Sequence, residues 1–318
     1  MSFIKDAFQI EFRTNSEDDL AECNILYTTS NDLEIGKYLL FFYPEISLLK
    51  HSIIKVLPMK IFSFMLTQVD YTMTFCYALR YTQNDVPKVI MIESSIYNHF
   101  FILLLKQMSQ SINSITQTNI GNILQDVNKL SPEYIIAHNQ IKVGELVVSS
   151  QLRNITIETI NKFGVDSFVD IITKMLVEEK FVFVSSDVEN IHTTIQAFLN
   201  CLEPFKWQFV CVPLLPNALY QNLSCIVPCI FGCLRSTYGK YKNEFIGGEG
   251  DVHVVDVMCY RETSVLKKKA NLLNHTAMGM LLSRLEHIVQ NEKHFSDQHV
   301  QSVFREFYHT LFESQVVF

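Results

Sequence analysis

Hydrophobic positions along this chain form two kinds of pattern, and the kind changes about a third of the way in. Short apolar runs at 7–12, 38–43, 61–66 and 73–81 are bounded by polar or turn-forming residues, the length and spacing of strands in a mostly antiparallel sheet. The stretch TQVDY, residues 67–71, suits a short hairpin connection between the last two. From 97 to 112 the period shifts. Phe101, Leu104, Leu105 and Met108 recur at three- and four-residue steps, as one face of a helix covering the sheet does.

Residues 113–139 are rich in Ser, Asn, Gln and Thr, and we place the boundary between two lobes there. Within that stretch Ser131, followed by Pro132, reads as a helix cap with proline at the first helical position. The second half then alternates. A helix over 166–177, a strand over 181–185, a helix over 188–202 and strands over 208–212, 225–231 and 252–257 predict a largely parallel sheet covered by helices. Two amphipathic helices close the chain. Met278, Leu281, Leu282, Leu285, Ile288 and Val289 form one stripe, and Val300, Val303, Phe304, Phe307 and Leu311 the other. The second stripe stops close to the last residue, and we expect further chain beyond it. The predicted fold is therefore α/β in two lobes, an antiparallel sheet with helices followed by an α/β lobe. The segments are 1–130, 131–265 and a C-terminal helical segment, 266–318.

One short stretch is unusually constrained. LEPFKWQFVCVPLLP, residues 202–216, holds the single tryptophan, Trp207, between Pro204, Pro213 and Pro216. Proline is accepted at the ends or edge of a strand, because inside it removes a ladder donor. The prolines therefore frame a short buried strand.

With 318 residues, 48% of them hydrophobic, the chain has material for two or three cored domains. Its net charge of −7 repels nucleic acid, and the run Lys267, Lys268, Lys269 reads as a solvated face. The N-terminus carries Lys5, Asp6 and Glu11 and does not read as a secretory signal. The longest purely apolar run, 100–105, is far short of the ~20 residues of a spanning helix. We expect a soluble, cytoplasmic protein with room for peripheral membrane association. Of the eight cysteines, Cys225, Cys229 and Cys233 are the grouping that could suggest a metal. On a strand, residues four apart lie ~13 Å from each other, so we read them as small hydrophobes.

Reactive chemistry finds little support. Gly247, Gly248 and Gly250 precede a predicted strand, whereas a dinucleotide loop follows one. Neither a phosphate-binding GxxxxGK[ST] nor a GxSxG elbow occurs. Ser185 and Ser186 end a strand before a helix and read as capping residues with Asp187. His192 reads as structural, and His294 and His299 are five apart, which matches neither face-sharing step of a helix. Glu178 and Glu179, Asp251 and Asp256 offer no paired acid and base. No cofactor, metal or catalytic residue is assigned.

The order of elements itself resembles a known family. DIITKMLVEEKFVFVSS (170–186), IQAFLNCLEPFKWQFVCVPLLPNAL (195–219), VPCIFGC (227–233) and DVHVVDV (251–257) follow the order of the central segment of DENN domains. YLLFFYPE (38–45), FSFMLTQVDYTMTFCYALRY (62–81) and PKVIMIESSIYNHFFILLLKQM (87–108) are similar to its upstream segment. Thr72 stands near where the family usually has a hairpin glycine, and the C-terminal stripe resembles only the start of the family's downstream segment.

The resemblance implies a longin-like N-terminal lobe joined to an α/β lobe. It also implies binding of a Rab-type small GTPase with exchange of GDP for GTP in membrane traffic, without covalent catalysis. On that reading the contact candidates are Tyr43, Pro44 and Glu45 on the first lobe. On the second they are Asp187, Glu189, Asn190, Leu215, Asn217 and Tyr220, chosen for their places at strand ends. Two other readings stay open: a GTPase-binding or scaffold module without exchange activity, and a longin-DENN GTPase-activating protein. The latter would present an arginine, Arg80 or Arg235, to the γ-phosphate, though both read more simply as surface charges. A Rossmann-type enzyme lacks its glycine-rich loop.

Overall fold

The computed structural model describes residues 3–14, 19–67, 72–150, 153–225, 227–246, 252–262 and 275–313. The hairpin connection at 68–71, Glu17 and Asp18, the Gly247 to Gly250 cluster with Asp251, and Lys267, Lys268 and Lys269 lie outside them. The chain divides into two compact units. One comprises Met1–Arg153 with Leu214–Tyr220, the other Asn154–Pro213 with Gln221–Phe318.

In the first unit β1 (Ile4–Thr14), β2 (Ala21–Thr28), β3 (Lys60–Thr67), β4 (Met73–Gln83) and β5 (Val86–Ser94) form a five-stranded antiparallel sheet in the order β2-β1-β5-β4-β3. Opposed residues share a face, and both faces are covered. Tyr77 of β4 lies 5.1 Å from Phe101 of α3 (Phe100–Ser111). On the other face Phe64 stacks at 5.0 Å on Phe41, and Phe8 lies 6.4 Å from Phe42.

Those two partners belong to α1 (Leu39–Phe42), and this corrects the expectation of a strand over 38–43. An unbroken apolar run carries no period to separate strand from helix. Here the four residues coil into one turn that presses aromatic rings onto a sheet already closed by other strands. A second short helix, α2 (His51–Ile54), follows, anchored by the buried Ile54. Beyond α3 come α4 (Gln117–Val127), α5 (Pro132–Ala137) and the hairpin of β6 (Gln140–Val143) with β7 (Leu146–Ser149). Ser131 caps α5 as its sequence predicts, accepting from the Tyr134 N–H at 3.2 Å.

The second unit opens with α6 (Ile155–Phe163) and α7 (Val165–Leu176). It continues through β8 (Lys180–Ser185), α8 (Val188–Cys201), β9 (Val210–Val212), β10 (Cys229–Leu234), α9 (Arg235–Ile246), β11 (Val252–Asp256) and β12 (Arg261–Glu262). The sheet order is β12-β11-β8-β10-β9, parallel throughout except for β12. β10 starts later than expected because Pro228 has no N–H to give the ladder. Cys211, Cys229 and Cys233 are buried in these strands, and burial pushes the thiols of Cys229 and Cys233 up to about 12, so they pack as neutral hydrophobes.

Two helices close the unit, α10 (His275–Gln290) and α11 (Asp297–Glu313), burying Leu281, Leu285 and Ile288 on one and Val300, Val303, Phe304, Phe307 and Leu311 on the other. Asp297 ties α11 to α6 by accepting from the Thr156 and Ile157 N–H groups at 2.9 and 3.0 Å. Among the described residues no helix is long and apolar enough to cross a membrane.

Candidate functional site

The framed strand β9 shows why its surroundings are stiff. Trp207 is buried, and its indole N–H donates to the Val210 carbonyl at 3.3 Å, bracing the entrance to the strand. At the exit Pro213 crosses directly over Gly232 of β10. A Cβ at that glycine would lie 2.0 Å from the Pro213 carbonyl oxygen and 2.2 Å from Ile191 Cγ2. Only glycine admits so close a backbone approach, and it fixes where the chain leaves the sheet.

What leaves is the segment Leu214–Tyr220, which belongs to the first compact unit. Leu214 and Leu215 are buried, and Asn217 opens a run of 3-10 turns, Asn217–Ser224. The Asn217 N–H donates to the Pro44 carbonyl at 2.8 Å, and its Nδ2 donates to Ser47 Oγ at 2.9 Å. Two groups of residues that sequence position alone nominated, Tyr43–Glu45 and Leu215–Tyr220, therefore come together within one unit.

The loop that receives Asn217 is held from below by Arg80 of β4. Its side chain is 5% exposed. Nη1 donates to the Phe42 carbonyl at 3.3 Å, Nε to the Pro58 carbonyl at 3.4 Å, and Nη2 pairs with Glu45 Oε1. The guanidinium also lies 5.5 Å from the centre of the Tyr43 ring. Reading Arg80 as a surface charge is thus corrected: it is an internal tie that fixes Tyr43, Pro44 and Glu45. Tyr43 itself is buried and edge-on to Phe12 at 5.4 Å, and burial raises its hydroxyl's pKa. Leu215 is buried as well, so both shape the surface from beneath, while Glu45, Asn217 and Tyr220 are partly exposed.

In the second unit the carboxyl ends of the parallel strands gather a separate polar cluster. Ser185, fully buried at the end of β8, accepts from the Asp187 N–H at 3.0 Å. Asp187 in turn caps α8, accepting from the Glu189 N–H at 3.3 Å and from Asn190 Nδ2 at 3.4 Å. The serine therefore serves the backbone, and Asp187, Glu189 and Asn190 form one capped turn. Nearby in the same sheet Arg235, just past β10, donates to Asp256 Oδ1 at 2.7 Å at the end of β11. Desolvation raises the Asp256 pKa, but that bond and the Met258 and Cys259 N–H groups outweigh it and hold the carboxyl below its ordinary value.

The Arg235 and Asp256 pair escaped the sequence reading, although each residue ends an apolar strand. Ser47 and the Arg80 tie escaped it too, since nothing in linear spacing links 80 to 45. Arg80 is enclosed, whereas the Arg235 side chain stays 46% exposed while it pairs with Asp256. Among the described residues no group of three His, Cys, Asp or Glu side chains could hold a metal ion.

Comparison with known proteins now adds to this geometry. The family model described as the DENN (AEX-3) domain matches residues 87–258. Human DENN domain-containing protein 1B is 25% identical over 200 residues, 63% of this chain and 24% of that protein. Mouse DENN domain-containing protein 2B is 25% identical over 107 residues, 33% of this chain and 9% of that protein. The mouse MAP kinase-activating death domain protein is 31% identical over 97 residues, 30% of this chain and 6% of its own length. The chain thus spans a quarter or less of these relatives. The family match covers more than half of the chain and includes β9, Gly232, the capped turn of α8 and the Asn217 segment, so this protein belongs to the DENN domain family.

Proposed function

We propose that this chain binds a Rab-type small GTPase and promotes the release of its GDP. The observation that carries the reading is the family match, which spans the segments that build the pinned 214–220 stretch and the capped turn at 187–190. Exchange breaks no covalent bond. A factor that binds the nucleotide-free GTPase more tightly than the GDP-bound form must, by linkage, loosen the nucleotide to the same degree. Each tenfold loosening takes ~1.4 kcal/mol of differential contact. A rigid surface can supply that without a nucleophile or a metal, which suits a site where Ser185 and Asp187 serve backbone and cap and Glu45 and Asp256 pair with arginines.

On this reading Glu45, Asn217 and Tyr220 offer contacts on one unit, over a base made by Tyr43, Pro44 and Leu215. Asp187, Glu189 and Asn190 offer contacts on the other. The protein acts in the cytoplasm, recruited to the membrane where its GTPase resides. Release of fluorescent GDP from a panel of Rab proteins tests the proposal. Acceleration of at least one member by micromolar protein supports it. Binding of a nucleotide-free member without any rate effect would leave a scaffold module in its place.

A further inference from the structure

The segment between α1 and β3 is unlike the rest of the surface. From Ile46 to Lys60 the sequence ISLLKHSIIKVLPMK carries three lysines and a histidine and no acidic residue, in a chain of net charge −7. Four of its apolar side chains are exposed. Leu48 is 53% exposed, Ile53 40%, Val56 73% and Met59 50%. Single exposed aliphatics are ordinary, but four within twelve residues, interleaved with Lys50 and Lys55, form a patch.

The patch is also firmly held. Leu20 bridges Lys50, the His51 N–H donates to the Asp19 carbonyl at 2.9 Å, and the Asp19 carboxylate accepts from the Ser52 N–H at 3.1 Å and from its hydroxyl. Asp19 is one acid beside the patch, with its carboxylate turned to Ser52, and Glu45, just before it, pairs with Arg80. Ile54 is buried beneath, and Lys55 gives its carbonyl to Thr82 Oγ1 at 3.1 Å. The backbone is fixed while the apolar tips and Lys55 are exposed and Lys50 is half-exposed.

The geometry points to a docking surface for an anionic lipid bilayer, with Leu48, Ile53, Val56 and Met59 entering the headgroup and acyl boundary and the lysines meeting acidic headgroups. Two features favour lipid over a protein partner. Protein interfaces enrich tyrosine, tryptophan and arginine and deplete lysine, and this segment has lysine and aliphatic residues with none of those three. Aliphatic and basic residues side by side are the composition of interfacial membrane binding. The inference does not rest on exchange activity.

Co-sedimentation of the full chain with vesicles tests it. Vesicles of phosphatidylcholine with phosphatidylserine should carry the protein down, vesicles of phosphatidylcholine alone should not, and added salt should release it. Lys55→Glu changes the charge by two and should weaken binding by about 25-fold, about fivefold per charge near an anionic leaflet. Val56→Ser with Met59→Ser should weaken it independently of salt. All three side chains are exposed, so the variants should unfold at the wild-type temperature and keep their rate of GDP release in solution without vesicles. Wild-type protein that stays in the supernatant with anionic vesicles, or Lys55→Glu protein that sediments as well as wild type, overturns the proposal. So does a finding that the substitutions instead convert a self-associated form into a monomer, which would make the patch an interface between copies.

Discussion

Replacing Arg80 by methionine isolates the internal tie beneath Tyr43, Pro44 and Glu45. Methionine keeps most of the volume of the side-chain stem but removes the guanidinium, so the Glu45 carboxylate and the Phe42 and Pro58 carbonyls lose their donor. Breaking a fully buried ion pair by deleting one partner costs about 3–5 kcal/mol. The Glu45 side chain is 26% exposed and recovers some hydration, while the two carbonyl bonds, at 3.3 and 3.4 Å, are long and weak. About 3 kcal/mol is the resulting local cost. Because the chain has two compact units, a single unfolding free energy is a poor measure, and local hydrogen exchange is the better assay. The Ile46 amide, bonded to the Tyr43 carbonyl, and the Asn217 amide, bonded to that of Pro44, report the loop directly. In Arg80→Met both should exchange on the order of a hundredfold faster, since 1.4 kcal/mol is tenfold in an equilibrium. Adding Glu45→Gln should recover about tenfold by removing the stranded charge. Protection within about threefold of wild type in Arg80→Met, below 1 kcal/mol, would refute the tie.

Three further outcomes follow from the same contacts. Asn217→Ala removes the Ser47 bond but keeps the backbone bond to Pro44, so it should cost ~1 kcal/mol at most and slow GDP release several-fold while thermal unfolding changes by only a few degrees. Gly232→Ala places a methyl against a backbone oxygen and a buried isoleucine, so it should destabilise the second unit by about 3 kcal/mol, read as a lowered unfolding temperature. Asp256 has a folded-state pKa below 3.8, so its contribution is complete above pH 3.8 and is lost as pH falls through the lower folded value. Asp256→Asn should therefore lose less stability than wild type over that acid window in unfolding titrations.

The alternating half of the fold was open to sequence reading because its signals are redundant. The stripe in α7 carries a helical period, the apolar run of β8 is short and bounded by polar residues, and Asp187 supplies a cap between β8 and α8. Elements with mixed signals were missed. β2 is an edge strand whose residues are nearly all half-exposed or exposed, so AECNILYT shows no clean alternation. In α6, ITIETINKF is rich in β-branched residues and reads against its helical state until its packing on α8 is known. In α4, Ile120, Ile123, Leu124 and Val127 do carry a helical stripe, but Gln and Asn dilute it, so the stretch reads as part of a polar linker. Only the part of the site that follows β8 and β9 sits at strand ends as expected; Tyr43, Pro44 and Glu45 follow the helix α1 instead. That Asn217 reaches Pro44, or that Arg80 lies under Glu45, depends on pairings across long sequence separations, which no local pattern records.

The account depends on a surface that favours an emptied GTPase over a loaded one. Equilibrium binding of the full chain to one responsive Rab protein, measured once without nucleotide and once with saturating GDP, tests this most directly. Tighter binding to the nucleotide-free form by at least about tenfold, with a matching drop in GDP affinity, is the predicted result. Equal affinity for the two forms would contradict it.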